Sequence, residues 1–205
     1  MKKETRKLAI TGSLGSGKSV VSRMMNVLGV PVYDCDVNAK RLMTDDGFIV
    51  SELKRMFGDE CYEDDGTLNR QYIASRIFTD KDNIKRVNSL VHPVVKRDFE
   101  EWAARQESSV VAVETSILYE SGMIEAVDKV LVVWADRETA INRTMQRSGM
   151  NRIQVENRMN NQMSVDDLLL MSDYSLYNDG DYPLLPRVMS VLEELKNISN
   201  FAVSN

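Results

Sequence analysis

Residues 12–19, Gly12-Ser13-Leu14-Gly15-Ser16-Gly17-Lys18-Ser19, constrain the fold of this 205-residue chain more than any other stretch. They match G-x-x-x-x-G-K-[ST], a pattern that carries meaning only between a strand and a helix. That context is present: Leu8–Thr11 is a short apolar run, and Lys18–Leu28 has helical spacing stopped by Gly29. The glycines let the backbone bend tightly so that successive N–H groups face one anion. The helix start adds positive partial charge. In such a loop Lys18 reaches the β- and γ-phosphates, and the Ser19 hydroxyl is a ligand for Mg²⁺. The reading is a site for a nucleoside triphosphate.

Four more short runs, Val30–Tyr33, Val110–Val113, Lys129–Trp134 and Tyr174–Tyr177, are apolar or aromatic, as strands buried on both faces should be. Their alternation with helix-patterned segments predicts an α/β parallel sheet wrapped by helices. At or just after the strand ends stand Gly12, Asp34, Glu114, Asp136 and Asn178. Ligands bind beyond the carboxyl ends of such strands, although polar residues also simply end them. Asp80 is placed to cap Lys81–Val91. Pro93 then begins a second helix, Pro93–Gln106, and pushes His92 out of helical geometry. Asp136 is placed to cap Arg137–Arg147, Asn151 with Gln154 resembles a capping box, and Ser164 with Asp167 a weaker one. Arg187–Ile198 is amphipathic and is expected to pack on the outside of the sheet. The stretch between residues 33 and 110 is too long for one crossover and reads as an inserted helical lobe.

At 43% hydrophobic and 28% charged residues the chain has the balance of a soluble globular protein. Its net charge of −5 argues against nucleic acid or an anionic membrane as partner. No uncharged apolar run has the length of a membrane span. The basic start is interrupted by Gly12, Gly15, Gly17 and Lys18 before any signal-like apolar stretch develops. Two cysteines form no disulfide framework, so a cytoplasmic setting is expected.

Tyr33-Asp34-Cys35-Asp36 places two carboxylates where a strand ends beside the glycine-rich loop. One of them can take the proton of an attacking hydroxyl while its neighbour holds metal-bound water. The competing reading is a helix N-cap, since Asp36 precedes the helical Val37–Met43. Cys35 reads as a space-filler. Arg137, Arg143, Arg147, Arg152 and Arg158 face only Glu138 and Glu156 in the same segment. Arginine suits forked phosphate contacts, and Arg143 and Arg147 share a helix face, so the segment reads as a lid or else as a solvated basic face. His92, the single histidine, reads as structural. Switch GTPases need Asn-Lys-x-Asp or Thr-Lys-x-Asp, which neither Val95-Lys96-Arg97-Asp98 nor Thr79-Asp80-Lys81-Asp82 supplies.

Taken together, the chain resembles the dephospho-CoA kinase family nearly end to end. The likeness is carried by Thr11 to Ser19, Asp34 and Asp36 followed by Ala39-Lys40, Leu90-Val91-His92-Pro93 and Ile117-Leu118-Tyr119-Glu120. It continues in Arg143-Thr144-Met145-Gln146-Arg147, Arg158-Met159-Asn160-Asn161-Gln162 and Ser172-Asp173-Tyr174 through Asn178-Asp179-Gly180. Ser116, Cys35, Val20 and Ser172 depart from the family's usual proline, alanine, threonine and alanine. None of these changes removes a charge or a metal-ligand hydroxyl. The resemblance implies a three-layer P-loop fold with a five-stranded parallel sheet. It implies a core of about residues 5–36, 108–140 and 170–205, a helical CoA-binding lobe of about 37–107 and a lid of about 141–168. The reaction implied is transfer of the γ-phosphoryl of ATP·Mg²⁺ to the ribose 3′-hydroxyl of the small molecule dephospho-CoA. By position Asp36 would be the general base and Asp34 its supporting carboxylate, a metal ligand with Ser19. Gly15, Ser16, Gly17, Lys18, Ser19 and Val20 would bind ATP phosphates and metal. His92 and Glu120 would face the acceptor, while Arg143 and Arg147 would stabilise the migrating group or hold adenine. Two rivals share the motif: another small-molecule kinase, for nucleoside monophosphates or a sugar acid, and a nucleotide-dependent switch without turnover.

Overall fold

A computed structural model describes residues 5–78 and 81–201. The described residues divide into two compact units, one of residues 5–34 with 101–201 and one within residues 35–100.

The first unit carries a sheet of five strands, all parallel, in the order β2-β3-β1-β4-β5. The strands are β1 (Arg6–Thr11), β2 (Val32–Asp34), β3 (Val110–Glu114), β4 (Lys129–Trp134) and β5 (Tyr174–Tyr177). β1 gains Arg6 and Lys7 over the sequence reading because both pair with β3, opposite Val110 and Val111. β2 loses Val30 and Pro31. The Val30 N–H turns back to Met25 O, and Pro31 has no N–H, although its carbonyl still accepts from Ala112 N. Helix α1 (Lys18–Val27) follows the glycine-rich loop.

One core cluster unites Leu8 and Ile10 of β1, Val21 and Met25 of α1, Leu131 and Val133 of β4, and Leu176 of β5. Leu184, Val188, Val191, Leu192 and Leu195 complete it. These last lie on the C-terminal helix, which runs from Leu184 to Phe201 and so begins three residues earlier than Arg187. Pro186 falls in its first turn, where a missing N–H costs no intrahelical bond.

The second unit is helical: α2 (Cys35–Asp45), α3 (Gly47–Phe57), α4 (Arg70–Phe78) and most of α5 (Lys81–Ala104). Asp46 caps α3 by accepting from Phe48 N and Ile49 N. The expected break at His92-Pro93 does not occur, because α5 is a single helix with Pro93 inside it. An internal proline costs about 3 kcal/mol. Val87, Val91, Val94, Val95 and Phe99 are all buried on either side of it, each contributing about 1.5–3 kcal/mol, and burial wins. His92 is therefore helical and half-buried. The expected Asp80 cap lies outside the described residues.

In the first unit, helices α6 (Arg137–Ser148) and α7 (Arg152–Met159) form a hairpin, followed by α8 (Val165–Leu170) and then α9, the C-terminal helix. Ala140, Ile141, Val155 and Met159 make a small core of their own, with Leu14, Met145 and Met150 packed against it. Asn151 and Gln154 form the full reciprocal capping box. Ser164 is a partial one: its hydroxyl accepts from Asp167 N and donates to the Asp167 carboxylate. Asp136 occupies the N-cap position of α6 but makes no side-chain cap. Its carboxylate is taken instead by the Tyr177 hydroxyl at 2.6 Å.

Candidate active site

Parallel register aligns the strand ends on one edge. Asp34 stands opposite Glu114, Glu114 opposite Ile10, and Trp134 opposite Tyr177. Beyond Thr11, in the middle of that edge, the chain enters the Gly12–Ser19 loop. Three glycines there are demanded by their surroundings. A Cβ on Gly12 would lie 1.9 Å from Val133 O, one on Gly15 2.1 Å from Ala140 O, and one on Gly17 2.1 Å from Asn178 Nδ2. The loop is thus enclosed by β4, α6 and the segment after β5.

Inside it, the Lys18 ammonium donates to Gly12 O at 2.8 Å and Ser13 O at 3.0 Å. The hydroxyl oxygens of Thr11, Ser13 and Ser16 are buried without a hydrogen-bond partner. Buried polar atoms in native proteins are ordinarily satisfied, so these orphans, two in the loop and one on the strand residue that leads into it, mark a place built for a polar ligand. The first-turn N–H groups of α1 lack intrahelical acceptors, and its N-cap residue is Gly17, which offers no side chain. Two members of the expected phosphate-binding set have their N–H groups already engaged: Val20 donates to Gly17 O at 3.0 Å and Ser16 to Ser13 O at 3.2 Å. The arrangement gathers N–H dipoles, one ammonium and hydroxyls around a position for phosphate.

For Mg²⁺, the Ser19 hydroxyl at the start of α1 and the carboxylates of Asp34 and Glu114 at neighbouring strand ends are hard oxygen donors. Among the described residues no group of three His, Cys, Asp or Glu could hold a metal by itself. Mg²⁺ binds proteins through one or two carboxylates together with waters and substrate phosphates. Glu114 went unassigned in the sequence reading beyond its place at a strand end. Its alignment with Asp34 became visible only through the register.

The hairpin arginines divide into two kinds. Arg152 is held by Glu138 at 2.6 Å and Glu156 at 2.9 Å, and Arg137 donates to Asn160 at 3.3 Å. The Arg152 guanidinium in turn holds the Glu138 carboxyl below its usual range. These two are structural ties. Arg143, half-buried, donates to Asn178 O at 2.8 Å. Arg147 is exposed, with no hydrogen bond or ion pair among the described residues.

The hairpin is fastened to the loop by Gln162, which accepts from Leu14 N at 3.1 Å and donates to Ser116 O at 3.4 Å. Glu120 belongs to the same strap, its carboxylate accepting from Met163 N at 2.9 Å. Neither role was legible in sequence, because each partner is more than forty residues away. At the far end of the edge, Tyr177 stacks on Trp134 at 4.3 Å, and its hydrogen bond to Asp136 raises its pKa to about 12. Asp36 lies in the first turn of α2, exposed, and His92 in the middle of α5; both belong to the helical unit. Asp36 is one residue inside its helix, so the N-cap reading does not hold.

A glycine-rich phosphate loop on the middle strand of a parallel five-stranded sheet, with a two-helix hairpin tied to the loop's tip, defines a P-loop kinase. Within that class the chain belongs to the dephospho-CoA kinase family, whose sequence model matches residues 6–183. A dephospho-CoA kinase of Bacteroides fragilis is 34% identical over 187 residues, 91% of each chain. A crystal structure of a Thermus thermophilus protein superposes with a TM-score of 0.81 at 34% identity, covering 94% of this chain and 99% of that one. Dephospho-CoA kinase from Campylobacter jejuni, at 21% identity, shares the fold with a TM-score of 0.69 over 92% of this chain and 96% of its own. The family reaction is the ATP-dependent phosphorylation of dephospho-CoA, the last step of coenzyme A biosynthesis. No helix of the described residues is long and apolar enough to cross a membrane.

Proposed function

We propose that this chain transfers the γ-phosphoryl group of ATP to the ribose 3′-hydroxyl of dephospho-CoA, with Asp36 as general base. The observation that carries this reading is the continuity of Asp34, in register at the strand-end row, with Asp36 two residues on in the first turn of α2. Phosphoryl transfer asks little covalent chemistry of a protein; it asks for an aligned nucleophile and neutralised charge. Asp36 accepts the proton of the attacking hydroxyl. Asp34 supports it from the strand end.

Gly15, Gly17, Lys18 and Ser19 hold the β- and γ-phosphates through backbone N–H groups and Ser16 through its hydroxyl, and Lys18 leaves its two loop carbonyls to follow the phosphates. Val20 contributes helix structure rather than an N–H. Mg²⁺, which neutralises phosphate charge when bound, would be held by Ser19 and, directly or through water, by Asp34 with Glu114. Arg147 and Arg143, on the lid of about residues 141–168, meet the charge that builds on the phosphoryl oxygens. His92 and the helical lobe of about residues 37–107 take the acceptor, with Glu120 acting through the strap it holds. The acceptor is a small molecule rather than nucleic acid, in keeping with the net charge of −5. The cytoplasm suits the absence of a disulfide between Cys35 and Cys61.

The test is to mix purified protein with ATP, Mg²⁺ and dephospho-CoA and to follow coenzyme A by mass. Nucleoside monophosphates and sugar acids serve as competing acceptors. Multiple turnovers with dephospho-CoA alone are expected. Preference for another acceptor, or nucleotide binding without turnover, would replace this reading with a rival.

A further inference from the structure

We infer that Asn178 is a positioning residue for the phosphate site: its side-chain amide sets the plane of the Ser16–Gly17 peptide and thereby aims the Gly17 N–H at the nucleotide's phosphates. Asn178 is the first residue after β5, and its own backbone is clamped on both sides. Its N–H donates to Trp134 O at 2.7 Å, and its carbonyl accepts from Arg143 at 2.8 Å. From that fixed point Nδ2 donates to Ser16 O at 2.8 Å. Only the amide nitrogen can make this contact, since a carbonyl oxygen accepts and cannot donate.

A trans peptide is planar, with its C=O and N–H on opposite sides. Holding the Ser16 carbonyl towards Asn178 therefore turns the Gly17 N–H away from it. That N–H donates to no acceptor in the hydrogen-bond network of the described residues, and the neighbouring Ser16 hydroxyl is buried without a partner. Gly17 itself sits at φ 96°, ψ 20°, a left-handed conformation that glycine tolerates. A Cβ there would meet Nδ2 at 2.1 Å, so the amide lies directly against the glycine it orients. One side chain thus ties the nucleotide loop to the residue that also receives Arg143 from the lid.

The inference rests on the reading of Gly12–Ser19 as an ATP phosphate site, and the experiment keeps the two apart. In the full-length protein, Asn178→Ala removes the donor without adding charge. Asn178→Asp, of nearly the same size, presents an acceptor to an acceptor. The probes are ADP and inorganic tripolyphosphate, which carries phosphates and no base. Both should bind roughly ten- to hundredfold more weakly to Asn178→Ala, the value of a hydrogen bond to a charged group, and more weakly still to Asn178→Asp. KM for dephospho-CoA should move by less than about twofold, because the contact addresses one substrate only.

Weakened ADP binding with unchanged tripolyphosphate binding would assign Asn178 to the base and overturn the inference. So would unchanged binding of both probes. Loss of a cooperative melt in both variants would make Asn178 a structural tie and nothing more. Wild-type protein that binds neither probe would instead overturn the phosphate-site reading on which the inference stands.

Discussion

Replacing Asp36 by asparagine separates chemistry from helix stability. Asp36 is exposed in the first turn of α2, where its charge interacts with the helix dipole for about 0.3–1 kcal/mol. Asparagine keeps the shape but cannot accept a proton at neutral pH. If Asp36 is the base, kcat falls by ~10²–10⁴-fold while the melting temperature moves little. A stable Asp36→Asn enzyme with wild-type kcat would sink the assignment. Lys18 offers a second test at this scale. Its ammonium rests on two loop carbonyls, so Lys18→Ala loses little structure and should lose several orders of magnitude in kcat/KM. Gly12 behaves in the opposite way. At φ 145°, with Val133 O 1.9 Å from any Cβ, Gly12→Ala should cost about 3 kcal/mol or more in stability, read by denaturant unfolding.

The α6–α7 hairpin is an element in which some charges are tied to partners among the described residues and that of Arg147 is not. Arg152 bridges Glu138 and Glu156, whereas Arg147 has no partner among the described residues. Arg147→Ala should therefore lower kcat with little change in melting temperature or in ATP binding. Arg143→Ala should weaken ATP binding as well, because it releases the Asn178 carbonyl. Equal, wild-type kcat in both variants would make the segment a solvated face. The Arg152 bridge also predicts a pH dependence. Its hydrogen bond lowers the pKa of Glu138 in the folded protein, so the stabilisation is fully present above the ordinary value of 4.5. It fades as pH falls below that value, through the lowered folded one. The difference in melting temperature between wild type and Arg152→Met should accordingly shrink on acidification; a constant difference would count against the bridge.

At the scale of the molecule, the core depends on a helix that the family model does not reach. The match ends at residue 183, and α9 begins at Leu184. Yet Leu184, Val188, Val191, Leu192 and Leu195 are all buried in the main cluster beside β1, β4, β5 and α1. At about 1.5–3 kcal/mol for each of these five buried aliphatic side chains, their loss is of the same size as the whole net stability of a usual domain, about 5–15 kcal/mol. A chain ending at Pro183 should keep every P-loop residue and still show no cooperative thermal transition. Leu195→Ala, a milder change, should cost about 2–5 kcal/mol.

What the sequence determined by itself was everything encoded locally. The P-loop is one contiguous motif, the strands are short apolar runs, and the Asn151–Gln154 box and the Gly29 stop are signals within a few residues. Such features depend on backbone geometry and side-chain chemistry that neighbours in the chain supply. Where sequence reading failed, a longer-range energy prevailed over a local preference. Pro93 was carried through α5 by buried valines and Phe99, and Asp136 gave up its cap for the Tyr177 hydroxyl, forty-one residues away. Tertiary structure alone decided which carboxylates share the strand-end row, since Asp34 and Glu114 are neighbours only through parallel register. It alone separated Arg143 and Arg147 from Arg152 by the partners each finds. The Asn178 contact to Ser16, across 162 residues, belongs to the same class. A hydrogen bond between distant residues leaves no periodicity or spacing behind, so only the folded chain displays it.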